Sequence, residues 1–492
     1  MSARRILCLG LLVLAVFSLS GQDTRWMRLY DHQSTVNTIG SVGVVPDTGY
    51  YIGIASILNG AGELTPFSID AEGDTLWTKR YPEPFHTLKA GSINIRPDGS
   101  WLWAGTALPT DTQEWRGIVY CFEADGDTLW RRVYGTDELD GFNASTLTSS
   151  GNLLTVGSRL STTLRIWAAE IDEWGDTLWT RTYPSAYWEN AVSVTSSLDG
   201  GFAIGAYREV TSTNDDMLVL KISANGALEW RKAYGGSWND NYGFVTDLVD
   251  GGYIMCGGQR TGQTSGLFPT IYRLQDNGDT LWSKIYTEHG RGVFFSKPIE
   301  MADGGFALSG GGEGDQSSSI GFLSRTDSSG VLLWHRTYST NPNIDQYIYD
   351  LRRTLDGGFI MAGTAFDTAP PLSQDAWLIK TDSFGCIVPG CQVFDAVLEQ
   401  YTSLQGALQV SPNPTTDVVQ VSITLPPGLV AGNDAKLTLV DAQGRKVMEQ
   451  ALPSLVPSQV TTVSLSHLPS ALYFLHLTDG KRWLAGARVV RQ

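Results

Sequence analysis

The stretch GDTLWTKRY, residues 73–81, returns in whole or in part along the first three-quarters of the chain. Its signature is a Trp followed four residues later by a Tyr. The pairs are Trp26/Tyr30, Trp77/Tyr81, Trp130/Tyr134, Trp179/Tyr183, Trp230/Tyr234, Trp282/Tyr286 and Trp334/Tyr338, with successive Trp residues 49 to 53 apart. A period of this size marks a repeat architecture. Residues four apart in a strand lie on one face, so each pair predicts a ribbon with one aromatic side packed against a neighbour. In six repeats a Gly stands four residues before the Trp: Gly73, Gly126, Gly175, Gly226, Gly278 and Gly330. Gly there suits a tight hairpin that needs a left-handed backbone.

Working outward, a second strand precedes each such turn, as in DMLVLKI (216–222) and DAWLIK (375–380). A third follows an Asp-Gly turn, as in DGGFAIG from 199 and DGGFIMAG from 356, and a shorter fourth precedes it, as in NAVSVTSS (190–197). Four strands per roughly fifty residues, without helical periodicity, predict an all-β chain built as a β-propeller. The first Trp/Tyr pair precedes any other strand, and the last strand of the LIK type, 375–382, has no Trp strand after it. Circular closure resolves both: residues 24–30 complete the last of seven four-stranded blades and leave no free edge at the seam.

The chain has 492 residues, 54 of them Gly, and a formal net charge of −16. Turn-dense β structure fits this composition better than disorder does. Residues 1–21 hold Arg4 and Arg5, the apolar run 6–17 and then Ser18 to Gly21, the pattern of a Sec-type signal peptide. That run is too short for a good membrane span, and no other segment predicts one. The acidic charge argues against nucleic acid and anionic membrane surfaces as partners.

Cys386 and Cys391 sit in FGCIVPGC, where the repeats stop, and an exported chain makes a short-loop disulfide between them the expectation. Cys121 and Cys256 read as buried thiols in strands. No nucleophile elbow, HExxH, P-loop or paired CxxC occurs, and the six His are scattered, so neither a catalytic motif, a metal centre nor a cofactor is expected. The Asp of each GDTLW turn invites a calcium reading, against which a strand-entry role is weighed.

Residues 392–407 read as a linker, with FDAVLEQY (394–401) partly helical, and 408–492 as a small Ig-like β-sandwich. The tail resembles the type A sorting domain of Bacteroidetes proteins exported by the type IX secretion system. The matching residues are SPNPTTD (411–417), LVDAQGRKV (439–447), LPSALYFLHL (468–477) and GARVVRQ (486–492); Ala471 stands where relatives usually have Gly. The resemblance implies two-step export to the cell surface or medium, with the secretion machinery as partner and the tail often removed. The repeats resemble those of surface propellers that accompany such tails. They miss the register of sialidase Asp-boxes, and no cofactor-binding residues of quinoprotein blades map onto them.

The domain reading is therefore a signal peptide over 1–21, a seven-bladed propeller over 22–391, a linker over 392–407 and a sorting domain over 408–492. Function is expected on the face carrying the longer loops, as a non-enzymatic binding module for glycan or protein. The alternative is a polysaccharide hydrolase or lyase using loop carboxylates. Candidate ligand residues are Tyr187, Trp188, Trp238 and Tyr242, with the acids Asp140, Glu189 and Asp240, each six residues after a repeat Tyr. Recurrence at one position gives those acids two readings: pins for loop N–H groups, or a ring at the mouth of a central channel.

Overall fold

The Trp and Tyr of each repeat reach across to the next repeat, and that contact organises the computed structural model. The structure describes residues 25–492 except 31–36, 49–50, 58–62, 83–84, 111–113, 136–139, 161–162, 213, 264, 288–292, 314–317, 342, 368–372, 388–390, 392–397, 402–406, 427–433, 442–444, 454 and 480–481. The expected signal peptide lies outside the described residues. The described part is all-β, built largely of four-stranded antiparallel sheets in which neighbours in sequence are neighbours in space.

One sheet shows the plan: Trp188–Ser196, Phe202–Thr211, Asn214–Ile222 and Leu228–Tyr234, in that order. A further sheet takes its outer strand from the far end of the chain. Trp26–Tyr30 pairs antiparallel with Ser373–Thr381, placing Trp26 opposite Lys380 and Tyr30 opposite Ala376.

The contact between repeats has three points. At Gly73, φ is +82° and an added Cβ would lie 2.7 Å from the Trp26 ring, so only Gly lets the indole lie flat on the turn. The Tyr30 hydroxyl donates to the Gly73 carbonyl at 2.8 Å, and Arg28 pairs with Asp74 at 2.5 Å. The Tyr bond recurs from Tyr81, Tyr134, Tyr183, Tyr234, Tyr286 and Tyr338 to Gly126, Gly175, Gly226, Gly278, Gly330 and Gly385. The ion pair recurs as Lys79–Asp127, Arg132–Asp176 and Lys232–Asp279. The GDTLW aspartates thus meet cations on the preceding repeat. These pairs are largely exposed, each worth about 0–1 kcal/mol, so the buried aromatics carry most of the contact energy.

A second pairing explains why DGG and LIK recur together. Lys380 Nζ lies 2.6 Å from Asp356 and Lys221 Nζ 2.8 Å from Asp199, both lysines being buried, and Arg325 pairs with Asp303 in the same way. The turn carboxylate neutralises a cation that the sheet interior would otherwise strand.

Cys386 and Cys391 form a disulfide, packed with Tyr338, Trp377 and Trp483. Cys121 and Cys256 are buried free thiols, and burial pushes both up from the ordinary thiol value. The C-terminal region forms two sheets. Leu408–Ser411, Val418–Thr424 and Ser458–Ser464 make one; Lys446–Leu452, Ala435–Asp441, Ala471–Asp479 and Arg482–Arg491 make the other. They share an apolar core that includes Val421, Leu437, Leu475 and Leu484.

The partly helical reading of FDAVLEQY is corrected over 398–401, while 394–397 lie outside the described residues. Leu398–Tyr401 is a strand, parallel to Leu332–Tyr338 on one side through His335 and Arg336, and to Arg482–Arg491 on the other through Arg482 and Trp483. Two unpaired edges were on offer, and pairing with them outweighs the local helical pattern. Correspondingly, His335, Arg336 and Thr337 are buried, whereas most of the matching strand Thr128–Tyr134 is exposed.

Candidate functional site

The innermost strand of each repeat carries a break in its pairing register, and these breaks build the site. The shifts fall between Ile39/Val42, Lys89/Ser92, Phe142/Ala144 and Ala191/Ser193, and between Asn241/Phe244, Phe295/Lys297 and Ile348/Asp350. A bulge bends its strand and re-aims the extra residue. One residue from each break, Ser41, Gly91, Asn143, Val192, Tyr242, Ser296 and Tyr349, lines one central cavity of about 890 Å³. That volume lies within the ordinary range for ligand pockets.

Inner-strand hydroxyls tie the wall together. Ser193 Oγ donates to the Gly243 carbonyl and accepts from the Val245 N–H, and Ser296 Oγ donates to the Ile348 carbonyl. Ser41 Oγ accepts from the Ile93 N–H and donates to Asp350.

Two features of the wall do not repeat. The first is aromatic. Tyr242 has φ +60°, which for a bulky residue is a strained conformation costing about 1–3 kcal/mol. Its ring lies 5.0 Å from that of Phe294, 5.8 Å from Phe244 and 6.3 Å from Tyr207. Tyr349 stacks on Tyr347 nearby. Burial pushes the Tyr242 phenol above its ordinary value, with Tyr207 and Tyr347 adding to the shift.

The second feature is ionic. Asp350 accepts from Lys297 Nζ at 2.6 Å, Ser41 Oγ at 2.8 Å and the Val42 N–H at 3.1 Å, and pairs with Arg352 at 3.3 Å. Burial alone would raise this carboxyl, but Arg352 and Lys297 outweigh it and hold Asp350 at about 2. Lys297, desolvated and beside Arg352, sits below the ordinary lysine value although Asp350 opposes the shift. Lys89 and Arg353 also line the cavity, both exposed, and Lys89 rests 4.1 Å over the Trp115 ring.

The sequence candidates divide. Tyr242 lies in the cavity wall. Trp188, Trp238 and Tyr187 lie on the long-loop face, 50%, 37% and 38% exposed and outside the cavity lining. The Tyr187 ring is covered by the Arg208 guanidinium at 4.8 Å, itself held by Asp216.

The acids are corrected. Asp140, Asp240 and Glu189 are 0%, 0% and 1% exposed, so they form no ring at a channel mouth. Asp240 accepts from the N–H groups of Gly236 at 2.6 Å and Arg260 at 3.1 Å. Asp140 accepts from Arg159, and Glu189 from Ser185 with Arg231 3.3 Å away. Gly135 and Gly235 explain the packing: an added Cβ on either would collide with the acid below it. Burial raises Glu189 and lifts Asp240 to about 6, against the pull of its two backbone donors.

Sequence reading missed the ionic cluster. A signal was present: SKPIE (296–300) and YDLRR (349–353) put charges in inner strands where VSVT (192–195) has none. Among the described residues no group of three or more His, Cys, Asp and Glu could hold a metal ion, and no helix is long and apolar enough to cross a membrane.

No curated protein matches the chain. Solved structures of similar fold include the β-propeller domain of the trilobed protease from Pyrococcus furiosus (8% identity, TM-score 0.42, 70% of this chain and 95% of that one). An ulvan lyase from a new polysaccharide lyase family is also similar (8%, 0.48, 72% and 96%), as is a protein of unknown function from Dyadobacter fermentans (11%, 0.40, 62% and 96%). At these identities the likeness concerns the fold alone. Residues 409–490 match the secretion system C-terminal sorting domain. The chain thus joins a β-rich body of four-stranded sheets to a type IX sorting tail, which directs it to the cell surface or the extracellular space.

Proposed function

We propose that the chain is a surface or secreted binding protein, a seven-bladed propeller closed by the Trp26 strand and followed by an Ig-like sorting domain. Its ligand is a glycan, held in the central cavity and against the long-loop face, and it works without catalysis. The observation that carries this reading is Tyr242: a strained bulky residue placed by a bulge into a cavity shared by all seven inner strands. Strain of this kind collects at functional sites.

The chemistry of the lining favours binding over hydrolysis. A glycosidase uses two carboxyl groups about 5–10 Å apart, one with a raised pKa. Among the described residues Asp350 is the one carboxylate lining the cavity, and its ion pairs hold it ionised at neutral pH. A raised Tyr242 phenol also makes a poor general base.

A glycan array on the purified chain tests this, with wild type beside Tyr242→Gly, Trp188→Ala and Trp238→Ala. Tyr242→Gly removes the ring and suits the positive φ, so it should lose binding and keep the fold. The two Trp variants should weaken binding by about tenfold each if the ligand extends over the rim. Glycan binding that survives Tyr242→Gly unchanged, or new product ends accumulating from a bound glycan, would overturn the reading.

A further inference from the structure

We propose that the ligand of the central cavity is an acidic saccharide, one carrying carboxylate or sulfate groups. This rests on the cavity being a glycan site and adds the ligand class. The starting point is local charge. The whole chain carries −16, yet among the described residues the cavity lining holds Lys89, Lys297, Arg352 and Arg353 against Asp350 alone, a local balance of +3.

The four cations have different duties. Lys297 and Arg352 are committed to Asp350, and that buried group joins three inner strands, since Asp350 also holds Ser41 and the Val42 N–H. It is a structural ionic core with one net positive charge. Lys89 and Arg353 have no acidic partner within salt-bridge distance among the described residues, and both are open to the cavity. Lys89 is parked on Trp115, where a cation holds its place without being neutralised. A field of one sign inside a walled cavity is focused by the low-dielectric protein around it, and it selects anions.

The rest of the lining favours a saccharide over an acidic peptide. A bound peptide would have to satisfy its own amides, which it does most readily by adding to a free strand edge. Here every inner strand is bulged, and bulges blunt an edge for such pairing. Several inner-strand hydroxyls and carbonyls are already bonded to the neighbouring inner strand. What remains is aromatic faces at Tyr242 and Tyr349, the amide oxygen of Asn94, whose Nδ2 already donates to Ser145, and the two unpaired cations. Aromatic faces and amide groups suit sugar rings and hydroxyls, and the cations suit their acidic substituents.

Direction follows from strand polarity. Tyr242 and Phe294 lie near the starts of their strands, which follow the longer loops, whereas Arg353 ends its strand at a tight turn. An acidic saccharide entering from the long-loop face would meet aromatic surfaces before it met Arg353.

Titration calorimetry on the chain from residue 22 onward tests the class. The probes are hexagalacturonate, its fully methyl-esterified form, a sulfated galactan hexamer and hexaglutamate. At least one acidic saccharide should bind, weakening as NaCl rises from 50 to 500 mM and the Debye length shortens from about 14 to about 4 Å. For hexagalacturonate the methyl ester should bind at least tenfold more weakly. Lys89→Ala and Arg353→Ala, both exposed and outside the ionic core, should each cost at least fivefold for the acidic probe. Methyl ester binding equal to acid would overturn the acidic class while leaving the cavity a glycan site. Hexaglutamate binding tightest would overturn the saccharide in favour of a peptide. No saccharide binding at all would overturn this proposal, and the glycan array then decides the underlying reading by its own Tyr242→Gly arm.

Discussion

The Tyr30 hydroxyl donates to the Gly73 carbonyl at 2.8 Å, joining the first strand of the described chain to the first complete repeat. The same bond ends the series between Tyr338 and Gly385, at 2.7 Å. Gly385 belongs to the FGC motif that carries the disulfide, so the last repeat keeps its turn although no Trp strand follows it. The Trp26 strand occupies the vacant edge instead, and its own Trp and Tyr grip the turn at Gly73. Each repeat therefore depends on its neighbour for one aromatic contact.

Gly73→Ala should be more damaging than Gly151→Ala. Both glycines have φ near +83°, but an added Cβ meets the Trp26 ring at Gly73 and open space at Gly151. The backbone term common to both is about 1–2 kcal/mol. Displacing a packed indole should add about 1–3 kcal/mol at Gly73. Urea midpoints of the two variants compare them, and equal losses would mean that the aromatic contact contributes nothing.

Asp350 should make the protein acid-sensitive. Its folded value, about 2, lies below the unfolded value of 3.8, so its contribution is complete above about pH 4 and is lost as pH falls toward 2. The difference corresponds to about 2 kcal/mol. Unfolding free energies at pH 6 and pH 2.5 should show Asp350→Asn strongly destabilised at the first and closer to wild type at the second. A gap independent of pH would remove the ion pairs as its cause.

Asp240 should behave with the opposite sign. Its folded value, about 6, lies above 3.8, so between those values the folded state holds a proton that the unfolded state lacks. Its contribution to stability therefore grows as pH falls from 7 toward 4. Asp240→Ala leaves the Gly236 and Arg260 N–H groups without this acceptor and should cost about 1–3 kcal/mol, with the gap wider at pH 5 than at pH 7.5. Trp188→Ala, at an exposed position, should stay within about 0.5 kcal/mol of wild type. Thermal melts at the two pH values measure both.

Tyr242→Gly should keep or raise the melting temperature while abolishing glycan binding. The substitution relieves a backbone conformation worth about 1–3 kcal/mol of strain and gives up the ring contacts to Phe294 and Phe244. A loss of stability beyond about 3 kcal/mol would make Tyr242 a packing residue.

Residues 392–492, fused to an inert reporter in a host with type IX export, should carry that reporter to the cell surface. The sorting-domain match at 409–490 lies wholly inside this segment. In the intact chain, hydrogen exchange at His335 and Arg336 should be slow, because Leu398–Tyr401 covers that strand edge, and should quicken once the tail is cut away. Retention of the fusion in the periplasm, or exchange indifferent to cutting, would count against the respective half of this prediction.

By itself the sequence determined the period, the strand content, the disulfide pair and the export tail. Each is a local or repeated pattern: alternating side chains, Gly at a turn, two Cys in a short loop, a run of tail motifs. The Gly before each Trp was legible as a turn residue because its backbone demands it, whereas its second duty, bedding the neighbour's indole, exists only between repeats. Tertiary structure alone decided the site. Asp140, Glu189 and Asp240 have the spacing of a functional ring, but Arg159, Arg231 and the Arg260 N–H that meet them come from other strands. Asp350, Lys297 and Ser41 lie far apart in sequence and meet only because the last inner strand closes against the first. Burial and charge balance are sums over neighbours brought in by closure, and a linear pattern carries no record of which neighbours those are.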